Sequence, residues 1–376
     1  MLTGAASFGA VTTSVSAARE AASGAHVASP AAQAQVAGAQ ARAAAATTLL
    51  TGSSASSSAP STSIDALVTA SERLADAGKG TPDQTTFATI SGAQQALPPY
   101  AAAISAAATA AGSGTTPTTA ANTVRAGDEA LTAATTPLQG LVTEQLSKVS
   151  DAKSLSTLAA ALPIVVGGAA TMFLVTSMFW LARKTHRLVN APLLVGTLIV
   201  AGTTAFSTAA TLQSANVVNA ASTSADSVAA HGVLLASAHE ARAAELQSVL
   251  PGTSTQAQAA SALAKTADAR VGSLLSASEL AGGGAPQAWA DYQSAQQQAL
   301  ATVGSDRAKA ATTATTTAAT AFNAFVKQVP ATGATMQNDT TAPDAADIWP
   351  WLALLAGLSG GALAWVGLDR RLKDYR

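Results

Sequence analysis

Uncharged apolar runs of membrane-spanning length punctuate a chain otherwise built from alanine and small polar residues. Residues 158–181, 188–212 and 348–368 contain no Asp, Glu, Lys or Arg. Each is long enough for a helix to cross a hydrocarbon core of roughly 30 Å, which takes about 20 mostly apolar residues. Trp180 closes the first run, and Trp349, Trp351 and Trp365 bracket the third, so four of the five tryptophans fall where a membrane–water interface would hold them. The pattern predicts membrane helices at 157–182, 189–211 and 348–368. Residues 1–18 are more weakly apolar and carry no basic leader. They read either as a short signal-like segment or as the outer half of a truncated membrane helix, and the second is favoured.

Between the spans, alanine, glutamine, leucine, glutamate and arginine favour helix, and strand-like alternation is absent. Clusters of Gly, Ser, Thr and Pro at 52–63, 78–82 and 112–117 divide residues 19–156 into four segments, the pattern of a four-helix bundle. In the last segment Leu131, Leu138, Val142 and Val149 share a heptad-like seam that runs directly into the 157–182 span, so one continuous helix is expected there. Residues 212–330 repeat the plan less regularly: Val228, Leu235, Arg242 and Val249 are spaced by seven, so one arginine interrupts an apolar stripe. Gly282-Gly283-Gly284 then breaks the chain before a helix with Trp289 and Tyr292. Residues 331–347, rich in Thr, Gly, Pro and Asp, read as a flexible linker.

Charge fixes the expected orientation. Seven of the twenty Lys and Arg residues lie in two short segments, Arg183, Lys184 and Arg187 in a hairpin at 183–188, and Arg370, Arg371, Lys373 and Arg376 in a tail at 369–376. Short basic loops stay in the cytoplasm, so both large helical segments are expected outside, in the plasma membrane of a multi-pass protein. The fold class expected is therefore all-α membrane protein, with two extracytoplasmic four-helix-bundle-like domains in tandem, three clear spans and a weak or truncated N-terminal one. Ala41-Arg42-Ala43-Ala44 with Leu50 and Gly52 recurs as Ala241-Arg242-Ala243-Ala244 with Leu250 and Gly252, which points to an internal duplication.

Chemistry is sparse. Only 11% of residues are charged and 4% aromatic, and there is no cysteine, which excludes disulfides, thiol catalysis and thiolate metal sites. A net charge of −1 offers no basic surface for nucleic acid. Four histidines show no metal-binding or triad spacing, Gly78-Lys79-Gly80 is not a phosphate loop, and no catalytic, cofactor or metal residue is expected. Arg42 and Arg242 are candidate contacts for a ligand or partner, because a guanidinium inside a bundle can hold a carboxylate through two hydrogen bonds; the plainer alternative leaves their heads in water. His239-Glu240 beside Arg242 reads first as helix surface. Trp289 and Tyr292 are either an aromatic partner patch or core anchors. The seven basic residues of hairpin and tail are topology anchors or a docking site for a cytosolic protein, since so little chain remains inside to fold a domain of its own.

The segment from Leu181 to Asn190, the Ala288-Trp289-Ala290-Asp291-Tyr292 stretch and the terminal Arg371-Leu372-Lys373-Asp374-Tyr375-Arg376 resemble the GlnX group of actinobacterial multi-pass membrane sensors, whose outer bundles are similar to chemoreceptor ectodomains. The resemblance implies signal transduction: extracellular amino-acid status would reach a cytosolic Ser/Thr kinase, by way of a solute-binding lipoprotein outside. Expected partners are the bilayer, that lipoprotein, the kinase and a second copy of the chain. The alternative is a structural or accessory envelope protein with no sensing role.

Overall fold

The computed structural model describes residues 2–51, 59–79, 83–112, 117–185, 191–227, 231–277 and 283–329. The expected span at 348–368, the 331–347 linker, Arg187, and the tail with Arg370, Arg371, Lys373 and Arg376 lie outside the described residues. The described elements are helical: α1 (Leu2–Thr51), α2 (Ala59–Lys79), α3 (Gln84–Gly112), α4 (Pro117–Thr185), α5 (Ala191–Ser227), α6 (Val233–Val249), α7 (Ser254–Ala277), α8 (Ala285–Thr302), α9 (Arg307–Thr315) and α10 (Thr317–Gln328). Helix ends fall in each predicted breaker cluster. Asp83 starts α3 by accepting from the backbone N–H of Thr86 at 3.0 Å, and Pro117 opens α4 at a position where a missing N–H costs nothing. Further breaks lie outside those clusters. One falls at Pro251-Gly252, and another at Asp306, whose carboxylate caps α9 by accepting from Lys309 N at 2.9 Å.

The described residues divide into two compact units, those within 2–25 and 147–223 in the first, and those within 26–146 and 224–329 in the second. In the first unit α4 and α5 are both long and apolar enough to cross a membrane. Their outer faces are bare: Phe173 is 72% exposed, and Leu158, Val165, Phe179 and Leu198 are exposed with it. An apolar surface of this extent is foreign to a soluble monomer. Where α4 and α5 meet, Gly167 lies so close to Thr204 that even a methyl group has no room. Thr203, Ser207, Thr211 and Ser214 form the buried face of α5. Their hydroxyls donate back onto their own helix, as Thr203 does onto Ile199 O at 2.7 Å, so none of these four O–H groups needs an acceptor from outside. Residues 2–18 are helical within α1, and among the described residues only α4 and α5 reach the apolarity of a span.

The second unit holds two cores. The first draws Ala34, Ala41 and Ala45 from α1, Leu67 and Leu74 from α2, Ile90, Leu97 and Tyr100 from α3, and Val124, Leu131 and Leu138 from α4. The second draws Leu234 and Ala238 from α6, Val271 and Leu275 from α7, Trp289 and Tyr292 from α8, and Phe322 and Phe325 from α10. A third cluster, with Ala43, Ala46, Ala121, Ala243, Leu246 and Leu250, joins them. The two segments expected to form separate bundles in tandem therefore share one compact unit. The physical reason is α6, whose residues are buried nearly all round, including Ser237, Glu245, Gln247 and Ser248. A helix buried on every side needs neighbours on every side, and α1 and α4 supply those that the second core lacks. Alanine on both α1 and α6 permits the close approach.

Candidate functional site

The polar chemistry of the second unit gathers along α6. At its C-terminal end Arg125 of α4 donates to the carbonyls of Pro251, Gln247 and Leu250 at 3.0, 3.2 and 3.3 Å. These carbonyls have no helical partner, and a cation is well placed at the negative end of the helix dipole. Arg125→Ala is expected to lower stability by about 1.5–3 kcal/mol, the usual range for hydrogen bonds to a charged group, read from thermal unfolding followed by circular dichroism. Gly252→Ala should weaken the same clamp, because the added methyl would lie 2.6 Å from Arg125 Nη1.

Near the middle of α6 the two repeated arginines meet different fates. Arg42 is sealed inside: its Nε lies 3.4 Å from Asp128 of α4, and the two side chains are 14% and 5% exposed. Asp128 also accepts from Gln247 of α6, so one buried carboxylate ties α1, α4 and α6 together. Burial pushes Asp128 up from the ordinary carboxylate range against the pull of Arg42, while Asp128 raises Arg42 further and keeps it charged. Glu240 stands by this group, accepting from Gln139 at 3.3 Å, and is likewise raised by burial.

Arg242 is different. Its guanidinium stacks on Phe322, 4.6 Å from the ring centroid, and among the described residues none accepts a hydrogen bond from it. Neither arginine keeps its head in open water. Arg242 instead lines a pocket of about 230 Å³ with Gln40, Ala43, Ala44, Thr47 and Thr48 of α1, Thr62 of α2, His239 of α6 and Asn323 of α10. His239 is not helix surface: it packs edge-on against Phe322 at 4.9 Å, its Nδ1 is buried without a partner, and desolvation pulls its pKa down to about 3. Glu245, three residues on, acts on Arg242 through space and accepts from the Tyr292 hydroxyl. Burial pushes Glu245 up to about 8. It lines a second, smaller cavity of about 150 Å³ with Ser248, Lys265, Asp268, Gln293 and Gln296.

Compared with models of known families, with characterised proteins and with solved structures, this chain matches none. The geometry must therefore speak for the site. Trp289 and Tyr292 do not form a surface patch: at 3% and 1% exposed they anchor the second core, Trp289 against Phe325 at 4.9 Å and Tyr292 against Phe322 at 5.1 Å. Arg183 is exposed in the last turns of α4, and Lys184 follows it in the same helix. Among the described residues no group of acids and histidines is arranged to hold a metal ion.

Sequence reasoning passed over Asp128, Arg125, Glu245 and Gln247. For Asp128 a signal existed. Extending the Leu131 seam of α4 by its own spacing of four and three reaches Val124 and Asp128 on one side and Gln145 and Ala152 on the other, all buried. A charged residue in a seam position marks an internal partner.

Proposed function

We propose that this chain is a membrane-embedded signal-transduction protein, with three spans and a weaker N-terminal one, whose two helical segments lie outside and whose basic hairpin and tail lie in the cytoplasm. The observation that carries the reading is α4. It is a single helix from Pro117 to Thr185 whose first half bears the seam of the helical core and the Asp128 network, and whose second half bears a bare apolar face ending at Arg183. A helix without a break transmits a small axial or rotational shift, and displacements of about 1–2 Å suffice in known switches. A solute, arriving alone or on a solute-binding lipoprotein, would favour one of two helix registers, and a cytosolic protein such as a Ser/Thr kinase would read the basic hairpin. Its resemblance to the GlnX group supports the choice of amino acids as solute class.

Purification of the full-length protein from its own membranes in mild detergent, followed by mass spectrometry of retained partners, tests this. The lipoprotein and the kinase should be recovered, and the kinase lost when Arg183, Lys184 and Arg187 are neutralised. Insertion of Gly-Pro between Val149 and Leu158 should abolish any solute-dependent change in kinase retention while the lipoprotein stays bound, since proline removes a helical hydrogen bond and kinks the rod. Recovery of cell-wall machinery alone would favour the structural or accessory reading, to which the interlocked cores lend some support.

A further inference from the structure

We propose that the pocket between α1 and α6 is a binding site for a small carboxylate that also carries a hydrogen-bond donor, an α-amino or α-hydroxy acid, with its carboxylate held on the Arg242 guanidinium. The inference deepens the sensor reading, because the solute would then be read by this chain itself.

The pocket has a positive charge, and no acid is among its described lining residues. A guanidinium withdrawn from water with no counter-ion is costly, and a bound anion removes that cost. Phe322 covers one face of Arg242, so what remains is its edge, a planar row of N–H donors that matches a carboxylate in a two-bond fork. The contrast with Arg42 sharpens the point. At the same place in the repeated Ala-Arg-Ala-Ala segment, Arg42 has its carboxylate supplied internally by Asp128, whereas among the described residues no acid is ion-paired or hydrogen-bonded to Arg242, and Glu245 reaches it only through space.

The remaining walls set the size and the second functional group. At about 230 Å³ the pocket falls below the roughly 300–1,000 Å³ of drug-sized sites, and suits a ligand of a few heavy atoms. Among the described lining residues Arg242 is the single cation, since desolvation holds His239 neutral, so a monoanion is matched better than a dianion. Glu245, the acid on α6 that acts on Arg242 through space, is engaged by the Tyr292 hydroxyl and, pushed up to about 8 by burial, carries little charge at neutral pH. Thr47 and Thr48 already donate their hydroxyl hydrogens to Ala43 O and Ala44 O at 2.8 and 2.9 Å. Their oxygens are left only as acceptors, which calls for an ammonium or hydroxyl on the ligand. Gln40 and Asn323 can serve a polar remainder.

The test is calorimetric titration of the full chain in lipid nanodiscs with L-serine, L-glutamine and L-lactate as probes. Propionate lacks the donor, L-serinamide lacks the carboxylate, and inorganic phosphate reports general anion affinity. At least one probe should bind; an amino acid alone or lactate alone would tell the two ligand types apart. Propionate and serinamide should bind far more weakly and phosphate should not compete. Arg242→Gln should reduce affinity about 100-fold, as loss of a hydrogen-bonded buried charge does, and Arg242→Lys, which keeps the charge and loses the fork, should bind more weakly than the parent yet better than the glutamine variant. Absence of binding by all three probes at millimolar concentration, equal binding by the two variants and the parent, or tighter binding of phosphate would each overturn the proposal. Binding without partner recruitment would sink the sensor reading and leave the site standing. Recruitment of lipoprotein and kinase without binding would do the reverse.

Discussion

Asp128→Ala is expected to destabilise the helical unit by about 3–5 kcal/mol, the cost of leaving a buried charge without its partner. Arg42 would keep its charge, with only Glu240 nearby, and Gln247 would lose its acceptor at the same stroke. The whole loss falls on the place where α1, α4 and α6 meet, so both cores should feel it. Urea unfolding in detergent, followed by circular dichroism, checks this. Replacing both partners, Arg42→Leu with Asp128→Leu, should recover most of the stability, since buried ion pairs are often no better than well-packed apolar residues of similar volume. A loss below about 1 kcal/mol for Asp128→Ala, the range of an exposed pair, would show that the pair is solvated and that α1 and α6 are not joined through it.

The second large effect is on pH. Glu245 has an ordinary value of 4.5 and is pushed up to about 8 by burial, with Asp268 adding to the rise and with Tyr292 and Arg242 opposing it. Between those values the unfolded chain has lost the proton and the folded one keeps it, so stability falls as pH rises from about 4.5 to about 8 and is level above. Asp128, Glu240 and Asp268, all raised by burial, act in the same direction. His239 acts in the opposite sense: lowered from 6.5 to about 3, it leaves the folded chain short of a proton the unfolded chain holds, so stability rises with pH through that window. The two oppose each other from about 4.5 to 6.5, and above 6.5 only the acids remain. The thermal midpoint should therefore drop by several degrees between pH 6.5 and 8, and Glu245→Gln should flatten that drop. A midpoint that climbs across this interval would contradict the burial of Glu245.

How much of this was legible beforehand differs from element to element. The α4 seam was, because Leu131, Leu138, Val142 and Val149 lie at heptad spacing and each is now 2% exposed or less. The ends of α2 at Ala59 and Lys79, of α3 at Gly112 and of α4 at Pro117 were, because they fall in the Gly, Ser, Thr and Pro clusters at 52–63, 78–82 and 112–117. The merging of the two cores was not. It depends on α6 being enclosed on all sides, yet that helix reads as polar, with His239, Glu240, Arg242, Glu245 and Gln247 along it, and no periodicity reveals that polar residues satisfy one another across neighbouring helices. The divergent fates of Arg42 and Arg242 were equally hidden. Both sit in an Ala-Arg-Ala-Ala segment, and what separates them most is an acid on α4 far along the chain for one and a phenylalanine on α10 for the other.

The sensor reading requires the helical unit outside and the end of α4 inside, and the absence of native cysteine makes this directly measurable. Single cysteines at Thr69, Thr266 and Arg183, all exposed, can be treated on intact cells with a membrane-impermeant maleimide. Positions 69 and 266 should label at once, and position 183 only after the membrane is permeabilised. Labelling of 183 together with the other two, or protection of 69 and 266 until permeabilisation, would place the unit on the wrong side and contradict the account.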